Sequence, residues 1–371
     1  MKVLYDARFI TPYPTGIGHY TKLLLNNLFS LSNLEIVPII HQQPELAQQI
    51  DATVNAPVAF DSHPMGDIWR NTTLIKLMKK MRIEIFHSPA FYSIQRKIPI
   101  PQIVGIHDLA VFQKNQTFNR RFIFYFRRLI INAAKRADCI ITSTHYMADE
   151  IANKFPQSKN KIRVIPYGID ARYHHHNKSD NGVIREKYCL PQKYLLDVAT
   201  IEPRKNLVNL LDAYSIYRRR SHAPLPLIIV GKDGYQAEIV KKRARKSDLH
   251  ASVRFLGYVP ENEMPAIYSM ADIFIFPSIY EGFGIPIIEA MASETPVVSS
   301  NISSIPEVCG ECAVLINPRS PLAIATAILK LENEKVMKME LIEKGKLRSA
   351  NYTWEKNAEE TAECYKDVIN N

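Results

Sequence analysis

Short apolar runs recur along the first half of the chain: KVLYDARFI at the start, then EIVPII, EIFHS, QIVGIHD and CIITST, each separated from the next by a helical or polar stretch. Runs of this length, rich in β-branched residues, predict strands. Their nearly continuous apolar character predicts a parallel sheet covered by helices. The first strand leads through the glycine-containing loop TGIGHY to a helix from about His19 to Leu31. After Lys161 the segment IRVIPYGIDARYHHH breaks the pattern at Pro166 and Gly168, which marks a domain boundary. The same alternation then restarts. YLLDVAT, PLIIVGKDG, VRFLGYVP, IFIFPS, TPVVSS and AVLINP read as strands, with helices from about Leu207 to Arg220, from about Gln236 to Ser247 and from Pro286. A last helical stretch, WEKNAEETAECYKDVI, is long enough to return to the first domain. The division is therefore residues 1–168 together with 355–371, and residues 169–354.

Length and composition agree with two α/β domains, because 371 residues exceed one comfortable core. Hydrophobic residues at 46% and charged residues at 23% fit a globular protein. No run approaches the roughly 18 to 20 apolar residues of a membrane span, and the chain opens on a strand without a signal-peptide pattern, so the cytoplasm is the expected compartment. Five scattered cysteines then predict reduced thiols. Cys309 and Cys312 form a C-x-x-C without a second pair or a nearby histidine, and His174, His175 and His176 form a polar run, so no metal is expected.

The net charge of +10 calls for an anionic partner: nucleic acid, acidic lipid or a nucleotide diphosphate. NRRFIFYFRRLIINAAKRAD, residues 119–138, alternates basic pairs with aromatic and aliphatic residues, and LIKLMKKMR, residues 74–82, has the same character. Such helices either rest on a membrane or present a solvated basic face. Neither lies in a recognisable nucleic-acid module, and nucleic acid is not an expected partner.

The densest chemistry lies in IFIFPSIYEGFGIPIIEAMASETPVVSS. A buried-type strand runs into the glycine-containing turn Gly282–Phe283–Gly284, and Pro286 suits the first turn of a helix. Free backbone N–H groups at that helix start favour a diphosphate. Glu281 precedes the start, and Glu289 lies one turn inside with its side chain leaning back. One carboxylate can then hold the hydroxyls of a sugar and the other those of a ribose. In TIEPRKNLVNLL, Arg204 and Lys205 follow a strand and open a helix; a guanidinium fork beside a point charge suits a diphosphate and the charge that builds on it as a sugar departs. His107 and Asp108 end the strand of IVGIHDLAVF, where ligands bind in open α/β sheets. His107 can hydrogen-bond a sugar or share the positive charge of an oxocarbenium-like transition state. Gly16 and Gly18 lack the third glycine of a dinucleotide fingerprint, so a nicotinamide site fits poorly.

Taken in order, the glycine loop, H-D, I-P-Y-G-I-D, E-P-R-K-N, F-L-G-Y-V, E-G-F-G-x-P-x-x-E, S-N-I-S-S-I-P-E-V and the closing W-E-K helix resemble family 4 of the retaining glycosyltransferases over nearly the whole chain. The resemblance implies the GT-B architecture, two Rossmann-like domains facing across a cleft, and no cofactor beyond a nucleotide-sugar donor. It implies a catalytic group of Glu281, His107, Arg204 and Lys205, and a donor-binding set of Gly16, Gly18, Arg204, Lys205, Glu281, Gly282, Phe283, Gly284 and Glu289. Asn301 matches as loop support near the donor. Ala199 and His19 depart from the pattern, where relatives often carry Gly and Arg. Within the family the chain is similar to the mannosyltransferases of bacterial O-antigen synthesis. That implies GDP-mannose as donor, a lipid-linked saccharide as acceptor and peripheral contact with the inner face of the plasma membrane. A UDP-sugar donor, a nucleotide-sugar epimerase, a glycoside hydrolase using two carboxylates and a non-catalytic sugar-binding subunit are the rival readings.

Overall fold

The structure, a computed structural model, describes residues 1–11, 16–41, 54–56, 64–113, 120–249 and 251–370. It contains two compact units. The first gathers the chain up to Leu109, residues 120–168 and the C-terminal segment from Trp354; the second holds Ile169–Thr353 and a short piece beginning at Ala110.

In the first unit, strands β1 (Lys2–Asp6), β2 (Glu35–His41), β3 (Val54–Ala56), β4 (Ile85–Ser88), β5 (Gln102–Gly105), β6 (Cys139–Thr142) and β7 (Ile162–Val164) form one sheet in the order β3-β2-β1-β4-β5-β6-β7. Every pairing is parallel. β4, β5 and β6 are buried at every position, as sheets covered on both faces require. The short strands β3 and β7 extend the two edges. Leu4, Val37, Ile39 and Phe86 from the strands meet Leu74 and Met78 of the helix Thr73–Met81 in the core.

The helix of the glycine segment runs Gly16–Phe29 and so begins earlier than His19. Gly16 and Gly18 lie in its first turn rather than in a loop before it; Thr15 falls outside the described residues. The reason is packing. Gly18, Tyr20, Thr21, Leu24, Leu25 and Leu28 are all buried, and that stripe offsets the roughly 1 kcal/mol helix cost of a glycine.

The C-terminal helix Trp354–Asn370 belongs to the first unit and packs on Gly16–Phe29. The Tyr365 hydroxyl lies 2.6 Å from His87 Nδ1, Cys364 Sγ lies 3.0 Å from Cys139 Sγ, and Asn357 Nδ2 donates to the Pro166 carbonyl at 2.6 Å. Among the described residues no helix is long and apolar enough to cross a membrane.

The second unit repeats the plan with β8 (Leu195–Val198), β9 (Leu227–Val230), β10 (Val253–Gly257), β11 (Ile273–Phe276), β12 (Val297–Ser300) and β13 (Ala313–Ile316), ordered β10-β9-β8-β11-β12-β13 and again wholly parallel. Leu195, Ile229 and Ile275 on one face pack against Leu210, Leu211 and Tyr214 of the helix Leu207–Arg220 and Ile324 and Ile328 of the helix Pro321–Asn333. In both sheets the strand order reverses beside the unit's first strand, between β1 and β4 and between β8 and β11. Such a reversal opens a crevice at the carboxyl ends of the strands, and ligands of open α/β sheets bind there. The segments after β8 and β11 are E-P-R-K-N and E-G-F-G.

Candidate active site

The segment that leaves β8 is pinned before it reaches its helix. Pro203–Lys205 forms one short helical turn, and Asn206 adopts a left-handed conformation with φ 63°, which asparagine tolerates better than most residues. Its Nδ2 donates to the carbonyls of Pro277, 3.0 Å away, and Pro318, 2.7 Å away. One side chain thus ties the segment after β8 to those after β11 and β13. Ile279 N adds a 2.8 Å bond to the Arg204 carbonyl.

This clamp brings Glu281 onto the basic pair. Its Oε1 lies 2.5 Å from Lys205 Nζ and its Oε2 lies 2.7 Å from Arg204 Nη1. Arg204 also pairs with Glu202 at 2.5 Å, and Lys205 Nζ stands 5.0 Å from the Phe276 ring centroid. Glu281 and Lys205 are 6% and 8% exposed, low enough for charge interactions to be weakly screened. Burial pushes the Glu281 carboxyl up, but the adjacent charges of Arg204 and Lys205 outweigh it and hold the group at about 2. Burial, then the Arg204 charge, moves the Lys205 ammonium down against the pull of Glu281. Two cations gathered at one crevice need an anion, and Glu281 supplies it here.

The Glu281 backbone is fixed from the segment after β12. Its N–H donates to Ser303 Oγ at 3.0 Å, and its carbonyl accepts from Ser303 Oγ at 2.7 Å and Ser304 Oγ at 2.9 Å. Ser303 takes φ 63°, a conformation costly for serine that the paired bonds hold in place. Asn301 contributes its backbone, N–H to the Ile316 carbonyl at 2.8 Å, while its side chain is exposed.

Gly284 precedes the helix Ile285–Ala292 with φ 99°, so glycine is required there. Glu289, half-buried in this helix, keeps different company from Glu281. It accepts the Tyr268 hydroxyl at 2.8 Å. Burial pushes its carboxyl up to about 7 against the hydrogen bond of Tyr268, which pulls it down.

A cavity of about 470 Å³ opens at the ends of β9 and β10, lined in part by Ile201, Gly231, Lys232, Gly257 and Tyr258. Lys232 Nζ lies 4.6 Å from the Tyr258 ring centroid. A Cβ on Gly231 would meet the Ala199 carbonyl oxygen at 2.0 Å, so the strand ends approach as closely as backbones allow.

Asp197 in β8 is fully buried, and neither carboxylate oxygen has a hydrogen-bond partner. Burial pushes it up to about 8, with Lys205 pulling it down and Glu281 raising it further. Nothing in YLLDVAT marks this residue beyond an acid inside an apolar run. Asn206 and Ser303 were equally silent, since their bonds cross between separate segments.

In the first unit His107 leaves β5 with Nε2 2.9 Å from the Pro89 carbonyl oxygen, which only accepts. The proton therefore sits on Nε2. Nδ1 remains an acceptor, buried and without a hydrogen-bond partner, and burial lowers the ring to about 4. His107 is thus a neutral imidazole at neutral pH. Both roles expected of it, hydrogen-bonding a sugar and sharing the positive charge of a transition state, call for this neutral form with an open lone pair at Nδ1. Tyr20 and Tyr167 hold the ring, with centroids 4.6 Å and 5.2 Å away. A Cβ on Gly105 would lie 2.3 Å from the Pro89 oxygen and 2.5 Å from His107 Nε2, so that glycine makes room for the bond. Among the described residues no group of three His, Cys, Asp or Glu side chains is arranged to hold a metal.

Known proteins resemble the chain along both halves. A family model described as "Glycosyl transferases group 1" matches residues 183–348, and one described as "Glycosyltransferase Family 4" matches residues 16–173. The O-antigen chain mannosyltransferase B of Escherichia coli is 26% identical over 99% of this chain and 100% of its own length. The O-antigen chain mannosyltransferase RfbU of Salmonella typhimurium is 32% identical over 62% of this chain and 61% of its own, so the match spans less than two thirds of that relative. A glycosyltransferase from Rickettsia africae superposes with a TM-score of 0.77 at 16% identity, covering 100% of this chain and 99% of that one. The Anabaena HepE protein in complex with UDP and glucose does so with a TM-score of 0.75 at 17% identity, covering 99% and 100%. At these identities the structural likeness is one of fold, and the fold is GT-B.

Proposed function

We propose that this chain, matched along its two halves by the group 1 and family 4 glycosyltransferases, transfers mannose from GDP-mannose, with retention, to a lipid-linked saccharide during assembly of a bacterial O-antigen. The observation that carries the reading is Glu281 bridging Arg204 and Lys205 at the strand-order reversal of the second unit. Two relatives whose names specify O-antigen chain mannosyltransferases support the choice of mannose and of an O-antigen chain.

In this reading the donor diphosphate takes Glu281's place as partner of the two cations. The released carboxylate, carried on a backbone that Ser303 and Ser304 hold in place, accepts hydroxyls of the sugar with the backbone of Gly282, Phe283 and Gly284. Glu289 takes the ribose. Arg204 and Lys205 stabilise the charge that develops on the diphosphate as the anomeric carbon–oxygen bond breaks. The acceptor hydroxyl attacks from the face the diphosphate leaves and gives its proton to the departing phosphate oxygen. No other base is then needed.

The helix Arg120–Arg136 exposes Phe124 at 74% and Ile131 at 46%, together with Arg128, Lys135 and Arg136. That combination suits an anionic bilayer, where the lipid acceptor resides. Incubating the whole protein with GDP- and UDP-sugars and membrane lipid extracts, and following nucleotide release, tests the function. Release from GDP-mannose that depends on the lipid supports it. Release from UDP-sugars alone reassigns the donor, and conversion of a sugar nucleotide without acceptor indicates an epimerase. Sedimentation with anionic but not neutral vesicles tests the membrane contact.

A further inference from the structure

A pair of packed tyrosines that no motif marks sets the Glu289 carboxylate. Tyr268, fully buried in the helix Met264–Ser269, donates its hydroxyl to Glu289 Oε2 at 2.8 Å. Its ring is wedged edge-on between Phe274, 5.4 Å away, and Tyr173, 5.8 Å away. Tyr173 is buried as well, and its ring stands edge-on against that of Tyr268. It stands on the short turn Ala171–Tyr173, just after the chain enters the second unit at Ile169. The other charged groups facing Glu289 are Asp170 and Glu261, both of which disfavour its charge. Arg172 partly offsets them, 2.6 Å from Asp170 and 4.0 Å from Glu261.

A carboxylate has about four lone-pair sites. A hydroxyl donor on a ring that cannot turn fixes one oxygen and leaves the other sites for a ligand. We infer that Tyr268, directly, and Tyr173, through the Tyr268 ring, are positioning residues for donor recognition, setting the Glu289 carboxylate so that its remaining lone pairs accept the vicinal hydroxyls of the donor's ribose. The inference rests on the reading that Glu289 faces the ribose. Because the ionised form is the acceptor, preference for an intact ribose rises with pH through the titration of Glu289, near 7. Removing a tyrosine hydroxyl that stabilises the ionised form moves that rise to higher pH.

The test is calorimetric titration of the whole protein with GDP, UDP and their 2′,3′-dideoxy counterparts, in wild type, Tyr268→Phe, Tyr173→Leu and Glu289→Gln, at several pH values. Wild type is expected to prefer the ribose form by roughly ten-fold or more, the size of hydrogen bonds to a charged group. Tyr268→Phe should lose most of that preference, bind the dideoxy form as wild type does, and shift the pH midpoint upward; Tyr173→Leu, which removes the ring packed on Tyr268, should weaken the preference in the same direction. Loss of the preference in Glu289→Gln with full retention in Tyr268→Phe would overturn the inference while leaving the ribose reading intact. A wild type without any preference would remove the ribose reading itself, and the inference with it. If Tyr268→Phe does not fold, Tyr173→Leu carries the same comparison.

Discussion

Replacing Asp197 with asparagine removes one titrating proton at nearly constant shape. The Asp197 carboxyl is fully buried without a hydrogen-bond partner and sits at about 8 in the folded protein, against an ordinary value of 3.8. Its folded value is raised, so between about 4 and about 8 the folded chain keeps a proton that the unfolded chain releases. Stability contributed by this group therefore falls as pH rises through that window and levels off above it. Each pH unit costs about 1.4 kcal/mol, so moving from pH 5 to pH 7 removes roughly 3 kcal/mol. Asparagine has no such titration. Urea unfolding followed by circular dichroism at intervals from pH 5 to pH 9 isolates the effect, because every other titrating group is common to the two proteins. The Asp197→Asn variant should gain on wild type by about 1.4 kcal/mol for each unit up to about pH 8, and hold a constant difference beyond it. Parallel stability curves across the whole range would refute the reasoning, since they would mean that the carboxyl titrates alike in the folded and unfolded chains.

Three further outcomes follow from the same geometry. Asn206→Ala breaks the bonds to Pro277 and Pro318 and puts alanine at a positive φ, so it should lower stability by about 2 to 4 kcal/mol in chemical denaturation; Asn206→Gly, which keeps the φ accessible, should cost less. Gly105→Ala places a methyl against the Pro89 oxygen and His107 Nε2, and should lower transfer activity more than it lowers the melting temperature. Glu281→Gln leaves Arg204 and Lys205 without their shared anion, at a cost of about 3 to 5 kcal/mol, and an added nucleoside diphosphate should raise its melting temperature more than that of wild type.

The strands were readable because buried parallel strands leave unbroken apolar runs; β4, β5, β6, β9, β11 and β12 are buried at all positions. β3 and β7 left no such trace. Each holds three residues at a sheet edge, too few to show a pattern. Glu281, Glu289, Arg204 and Lys205 stood out by their spacing from turns and helix starts. Their company did not: Lys205 and Glu281 are 76 positions apart, and only the adjacency of β8 and β11 joins them. Gly105 reads as an ordinary strand glycine until its distance from Pro89 is known. The neutrality of His107 likewise depends on Tyr20 and Tyr167, which reach it from other segments.

On donor binding, Arg204 and Lys205 are expected to exchange Glu281 for the diphosphate of a sugar nucleotide. Calorimetric titration of wild type, Arg204→Ala and Lys205→Ala with GDP-mannose and with guanosine tests it most directly. Each variant should bind GDP-mannose at least roughly ten-fold more weakly than wild type, with guanosine affinity unchanged. Wild-type affinity for GDP-mannose in both variants would contradict it.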